Sequence, residues 1–81
     1  MELFAVRVRR LPNVGIFRRH VFEVEIKSLS VGAMPSLTTT SKPYELLRPL
    51  IGWDEAALVE RRASRAWNGG VGPWCTAFTG E

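Results

Sequence analysis

Alternating apolar and polar positions dominate the first third of the chain. Residues 2–11 and 16–28 each place apolar side chains at every second position. Because successive side chains of a strand point to opposite faces of a sheet, this period predicts two strands. Residues 12–15 read Pro-Asn-Val-Gly, which is typical of a turn, so the pattern predicts an antiparallel hairpin. Its apolar faces carry Phe4, Val6 and Val8 in the first strand and His20, Phe22, Val24 and Ile26 in the second.

A helical repeat replaces the alternation in the second half of the chain. The first residues of this segment are acidic and its last turns are rich in arginine, as the helix dipole favours. Gly69-Gly70 follow as a stop signal. We therefore predict a main helix over about residues 54–67. Its apolar stripe holds Ala56, Val59, Ala63, Ala66 and Trp67, with Trp53 beside it.

A shorter helix is predicted over about residues 43–48. The first turn of a helix tolerates a proline, which accommodates Pro43. Serine is a residue type that caps helix N-termini, so Ser41 is the expected cap. Pro49 is expected to end or kink this helix, because a proline disfavours the helical conformation of the residue before it.

Two further segments complete the predicted fold. Residues 29–42 form either a short edge strand or an ordered loop, because a glycine and a proline interrupt a polar, β-branched run. After Gly72-Pro73 the chain alternates again from Trp74, which predicts a final strand. This order predicts an α+β fold, in which the hairpin belongs to a three- or four-stranded, mainly antiparallel sheet with both helices on one face. Residues 1–81 are predicted to form a single domain.

Composition limits the classes of protein to which the chain can belong. It has 81 residues, of which 46% are hydrophobic and 23% charged, as in a globular domain. No apolar run approaches the roughly 20 residues of a membrane helix, and the first residues lack the pattern of a secretory signal. The lone Cys75 excludes an internal disulfide and, with a single histidine, a structural zinc site. We expect a cytoplasmic protein of a bacterial host, with no cofactor and no membrane partner.

Positive charge is concentrated around the predicted hairpin. Residues 1–27 contain six basic and three acidic residues, which accounts for the whole net charge of +3. A turn at residues 12–15 places Arg9 opposite Arg18 and Arg7 opposite His20, and like charges that face one another across a strand pair destabilise it. The candidate partner-binding residues are Arg7, Arg9, Arg10, Arg18, Arg19 and His20, with Phe17 near the turn.

Three interpretations of this arginine cluster are open. In the first, the hairpin tip binds an anionic partner, since arginine suits bidentate contact with carboxylate or phosphate. In the second, the arginines are solvated and protect an edge strand from aggregation. In the third, a carboxylate elsewhere in the fold neutralises them, the candidates being Glu45, Asp54, Glu55 and Glu60.

The polar side of the main helix offers a second candidate interface. Leu58 lies opposite the apolar stripe, in the company of Arg61, Arg62 and Arg65. An apolar residue with charged neighbours is typical of an interface anchor. The alternative is that residues 29–42 cover Leu58.

The sequence contains no recognisable set of catalytic residues. A nucleophilic site needs a thiol or hydroxyl near a histidine and a carboxylate, but Cys75 lies in an apolar strand, where a buried thiol is ordinary. The glycine-rich residues 69–72 follow a helix and lack the lysine of a phosphate loop. Trp53 and Trp67 are expected in the core. The sequence therefore predicts a binding protein and not an enzyme.

Our first functional hypothesis is a small inhibitor or adaptor that docks its arginine-rich hairpin on an acidic surface of a larger host complex. The chain resembles, in kind, the anti-CRISPR proteins of phages and prophages, because it is small, free of disulfides and without a catalytic set. That class shares no motif, so the resemblance is one of type and assigns no residue roles. Many such inhibitors are acidic mimics of nucleic acid, whereas this chain is basic. The difference favours an acidic protein target, for example on a CRISPR effector.

The alternative hypothesis is direct binding of nucleic acid by the same hairpin. A two-stranded ribbon can enter a major groove, and phosphate contacts provide much of non-specific affinity. Against it, a net charge of +3 is small, and no fingerprint of a helix-turn-helix, a zinc finger or a ribonucleoprotein sheet is present. A small structural subunit is a further alternative. The chain is expected to be a monomer or a weak homodimer.

Overall fold

The computed structural model contains four strands and two helices. It describes residues 3–11, 20–30, 32, 34–66 and 72–80, with side chains up to residue 77 in the last of these ranges. The elements in chain order are β1 (Leu3–Arg10), β2 (Phe22–Ser28), β3 (Ser36–Thr40), α1 (Pro43–Ile51), α2 (Trp53–Arg65) and β4 (Cys75–Gly80). The predicted α+β fold is confirmed, and the predicted turn at residues 12–15 lies outside the described residues.

The four strands form one antiparallel sheet in the order β3-β2-β1-β4. Both helices lie on one face of it, against β1 and β4, as the predicted architecture requires. The predicted apolar faces of β1, β2 and α2 meet in the core between the two layers. The buried apolar side chains are Val6, Val8, Phe22, Val24, Leu47, Ala56, Val59, Ala63 and Ala77. We call the other face of the sheet, away from the helices, the open face.

The register of the hairpin differs from the prediction. The predicted pairs Arg9 with Arg18 and Arg7 with His20 are wrong, and Arg9 instead faces Glu23. The physical reason is parity: pairing Arg9 with Arg18 joins odd positions to even ones and puts the apolar side chains of the two strands on opposite faces. Burial of both apolar sets under the helices requires odd to face odd. The long connection between β1 and β2 makes this register possible.

The open alternative for residues 29–42 is resolved in favour of a strand. β3 pairs with β2 from Ser36 opposite Ile26 to Thr40 opposite Phe22. It forms one edge of the sheet, and four of its five residues are exposed. The final strand begins at Cys75, and its predicted alternation is confirmed, because Ala77 is buried under the helices.

Helix α1 continues through Pro49, so this proline does not end the helix, which was one of the two outcomes that the sequence predicts for it. Pro43 occupies the first turn, as predicted, but the helix runs past Pro49 to Ile51. Only two helical residues follow Pro49, so its missing N–H removes one hydrogen bond near the helix end. The amide of Gly52 still donates to the carbonyl oxygen of Arg48 at 3.0 Å. Gly52, at φ +83°, then separates α1 from α2.

The N-terminus of α1 is capped from another helix. The predicted Ser41 cap is wrong, because Lys42 occupies the cap position and no capping side chain bonds from there. Glu60 of α2 takes this role: its Oε2 accepts a hydrogen bond of 2.7 Å from the amide of Tyr44. The carboxylate satisfies an amide of the first turn, which has no partner within the helix, and places a negative charge at the positive end of the helix dipole.

We predict that Glu60→Ala lowers the free energy of unfolding by about 1 kcal/mol, in the range of lost helix caps. The measurement is urea denaturation followed by circular dichroism. Glu60→Gln is the matched control, since its amide oxygen still accepts the bond from Tyr44, and it should recover about half of the loss. Equal stability of the alanine variant and the unchanged chain would contradict the capping role.

Candidate functional site

Two of the candidate arginines lie on the open face, where acidic side chains of β2 face them. Arg9 donates from Nη2 at 2.7 Å and from Nε at 3.1 Å to the same Glu23 oxygen, Oε1. Arg7 lies opposite Glu25, with 3.4 Å between Nη1 and Oε1. The expectation that Arg7 and Arg9 carry unbalanced charge is therefore wrong. Internal neutralisation is correct for this pair, but Glu23 and Glu25 provide it instead of the four carboxylates that the sequence suggested.

Trp74 completes this cluster from the neighbouring chain segment before β4. The guanidinium carbon of Arg7 lies 4.3 Å from the centre of the Trp74 ring and that of Arg9 lies 4.4 Å from it. Both distances are typical of cation–π contacts. Each of these arginines thus contacts an anion on one side and an aromatic ring on the other, so neither is available as a free cation for a partner.

Arg10 points to the helix side of the sheet and closes the end of α2. Its Nη1 donates a hydrogen bond of 3.2 Å to the carbonyl oxygen of Ser64. The last carbonyls of a helix lack partners and carry partial negative charge, which a guanidinium stabilises. Arg10 Nη2 also donates to Nδ1 of the exposed His20, because a guanidinium can only donate. Arg10 is therefore a structural side chain that joins β1 to α2.

The predicted hairpin cluster is thus divided. Arg7 and Arg9 belong to the open face, whereas Arg10 and His20 lie towards α2. The remaining predicted members, Arg18, Arg19 and Phe17, lie outside the described residues.

The arginines of the second candidate interface lie together on one side of α2. Arg61, Arg62 and Arg65 are exposed on α2, at spacings of three and four residues that place them on one side of a helix. We call this set the arginine face. Among the residues that the structure describes, no carboxylate lies within ion-pair distance of any of the three. These guanidinium groups stay available to an anionic partner.

Leu58 lies one turn before the arginine face on the same side of α2. Its side chain is half-buried, so part of its apolar surface reaches solvent beside the arginines. α2 packs against α1, β1 and β4. The alternative in which residues 29–42 cover Leu58 stays a prediction, because residues 31 and 33 of that segment lie outside the described residues. The first turn of the helix carries Asp54 and Glu55, so negative charge bounds the arginine face towards the N-terminus.

The tryptophans do not all follow the prediction. Trp53 was expected in the core but is 63% exposed at the first position of α2. Its ring contacts the ring of Tyr44 edge to face, at 5.5 Å between centroids, and the guanidinium of Arg48, at 4.5 Å. Trp67 lies outside the described residues. A position beside an apolar stripe at the first turn of a helix therefore does not guarantee burial.

Cys75 lies half-buried in β4 with a free thiol. Burial raises the pKa of this thiol, and the nearby positive charge of Arg62 lowers it by a smaller amount. The thiol is therefore held in its protonated form at neutral pH, whereas a nucleophilic cysteine needs a lowered pKa. In the part of the chain that the structure describes, no cluster of three histidine, cysteine or acidic side chains is arranged to hold a metal ion.

Neither described helix is long and apolar enough to cross a membrane. In comparisons with known proteins, no protein family, curated protein or solved structure matches the chain. Function is therefore inferred from the side chains of the site itself.

Proposed function

We propose that the chain is a non-enzymatic binding protein that docks the arginine face of α2 on an acidic protein surface. One observation carries this proposal: Arg61, Arg62 and Arg65 are exposed together and have no carboxylate partner among the described residues. A guanidinium forms charge-assisted, bidentate hydrogen bonds with carboxylates. The proposed contact lies on the helix and not at Arg7 and Arg9, because these two already have anionic partners.

An acidic protein surface suits this face better than nucleic acid does. The half-exposed Leu58 adds an apolar contact beside the charges, and such a combination is typical of the anchor and rim of a protein interface. A phosphate backbone that followed the helix would meet Asp54 about 10 Å before Arg61. The net charge of +3 also gives little long-range attraction to a polyanion.

The biological role that we propose for this surface is that of a small inhibitor or adaptor of a host complex, in the manner of the anti-CRISPR proteins. The small size of the chain and its single cysteine, which excludes an internal disulfide, support it. A structural subunit of a larger assembly would use the same contact. Identification of a partner bound through the arginine face distinguishes the two roles.

The test replaces two arginines and measures binding to defined polyanions. We expect Arg61→Glu with Arg65→Glu to weaken binding to poly-glutamate by about tenfold or more, since each lost charged contact is worth about 1 kcal/mol and each new glutamate repels the ligand. The matched control, Lys27→Glu with Lys42→Glu, changes the net charge equally at two exposed sites elsewhere. It should bind within about twofold of the unchanged chain. Fluorescence anisotropy at two salt concentrations gives both affinities.

Two outcomes would overturn the proposal. If the control weakens binding as much as the arginine variant does, net charge is responsible and the face is not a site. If a mixed-sequence DNA duplex binds more tightly than poly-glutamate, with a steep dependence on salt, direct nucleic-acid binding replaces the acidic protein partner.

A further inference from the structure

β3 forms one of the two edges of the sheet, and among the described residues no strand pairs with its outer side. β3 pairs with β2 on one side and ends the strand order on the other. The helices lie against β1 and β4, so β3 extends beyond the layer they cover. A strand at the edge of a sheet presents unpaired N–H and C=O groups, which pair readily with another strand.

The sequence of β3 lacks the two commonest residue types that protect an edge, which are charged residues and proline. Its five residues, Ser-Leu-Thr-Thr-Thr, include no charge and no proline, although charged side chains and prolines are the usual means of blocking edge pairing. Threonine favours strands. Leu37 points to the open face and is 59% exposed. This edge is therefore suited to accept a strand.

We propose that a second copy of this chain occupies the edge, with the two β3 strands antiparallel about a two-fold axis at Thr38. In this register Thr38 faces its own counterpart, Leu37 faces Thr39, and Ser36 faces Thr40. All five residues of each strand take part, and Pro35, which cannot donate, lies beyond the pair. The result is one continuous eight-stranded sheet across the two copies.

The side chains in this register are mutually compatible on both faces. On the helix side, serine and threonine hydroxyls face one another and can exchange hydrogen bonds, as cross-strand threonine pairs do. On the open face the two copies of Leu37 lie diagonally across the axis, within reach of one another. Lys42 follows the strand, so its two copies lie at opposite ends of the pair and do not repel. This match arises because the two-fold axis pairs two identical strands. A partner strand with a different sequence would not have it.

The extent of the contact predicts a weak dimer. Stable interfaces bury about 1,600 Å² in total, and one pair of five-residue strands covers less than that. Exposed apolar side chains next to the edge add to the area, notably Met34, which is 89% exposed. We therefore expect a dissociation constant in the micromolar range.

The test is sedimentation velocity of the 81-residue chain at concentrations up to about 1 mM. We expect a concentration-dependent dimer. Thr38→Lys and Thr38→Glu should each weaken it by about fivefold or more, because like charges then face one another on the axis. A mixture of the two variants should recover the dimer, since lysine then faces glutamate. The matched control, Asp54→Asn, raises the net charge by one at an exposed site on α2 and should leave the dimer unchanged.

Three outcomes would overturn the proposal. A chain that stays monomeric throughout leaves the edge to an extended segment of another protein. A dimer that Thr38→Lys does not weaken uses another surface. If both variants are folded by circular dichroism and associate weakly, and if mixing them does not restore the dimer, a two-fold axis at Thr38 is excluded.

Discussion

Leu47→Ala is expected to lower the free energy of unfolding by about 3 kcal/mol. Leu47 of α1 has no exposed surface and lies in the core with side chains of α2 and the sheet. Truncation removes the transfer energy of the lost carbons and leaves a cavity that the surrounding strands and helices fill only in part. For a domain of this size the loss is a large part of the total stability, and the melting temperature should fall by roughly 15 °C.

Leu46→Ala is the matched control, because it makes the same truncation one residue earlier, where the side chain is 38% exposed. It should cost less than about 1 kcal/mol. Thermal and urea denaturation measure both variants. If the two substitutions were equally costly, the orientation of α1 on the sheet would be incorrect.

Arg9→Glu is expected to lower the free energy of unfolding by about 2 kcal/mol. The substitution removes two hydrogen bonds to Glu23 and a cation–π contact with Trp74. It also places a glutamate directly opposite Glu23 and next to Glu25 on the same face. If Arg9 were a free, solvated cation at a hairpin tip, the same substitution would cost almost nothing, or would relieve repulsion.

The charge swap Arg9→Glu with Glu23→Arg should restore most of the lost stability, because the two charges still face one another in exchanged order. A double-mutant cycle from urea denaturation gives the coupling between them. Lys27→Glu serves as the control, since it reverses an exposed charge on the same face opposite Ala5. No recovery in the swap, or equal loss in the control, would mean that the observed register is not the one in solution.

Two features of the sequence indicate the register that the hairpin adopts. The apolar alternation requires odd positions of β1 to face odd positions of β2. The charges give the same answer, because Arg7 and Arg9 are spaced by two, as Glu23 and Glu25 are, and opposite charges stabilise cross-strand pairs. A turn motif at residues 12–15 gave a different register. The faces and the charges prevail because they involve the whole length of both strands, whereas a turn motif is local.

Other features depend on contacts that no local pattern encodes. Glu60 caps α1 only because the two helices pack side by side and bring its carboxylate to the amide of Tyr44. Residues 36–40 become a strand because β2 offers a partner, since the segment itself also suits a loop. Trp53 is exposed at the first position of α2, where its ring contacts Tyr44 and Arg48 of α1.

The sequence by itself determined the strands β1, β2 and β4, the two helices and the α+β class, since periodicity reports directly which side chains avoid water. Only the tertiary structure decided which arginines are free. Carboxylates on the neighbouring strand occupy Arg7 and Arg9, and the C-terminal end of α2 occupies Arg10. The availability of a charge depends on what lies within a few ångströms of it, and chain pairing over long separations sets that distance.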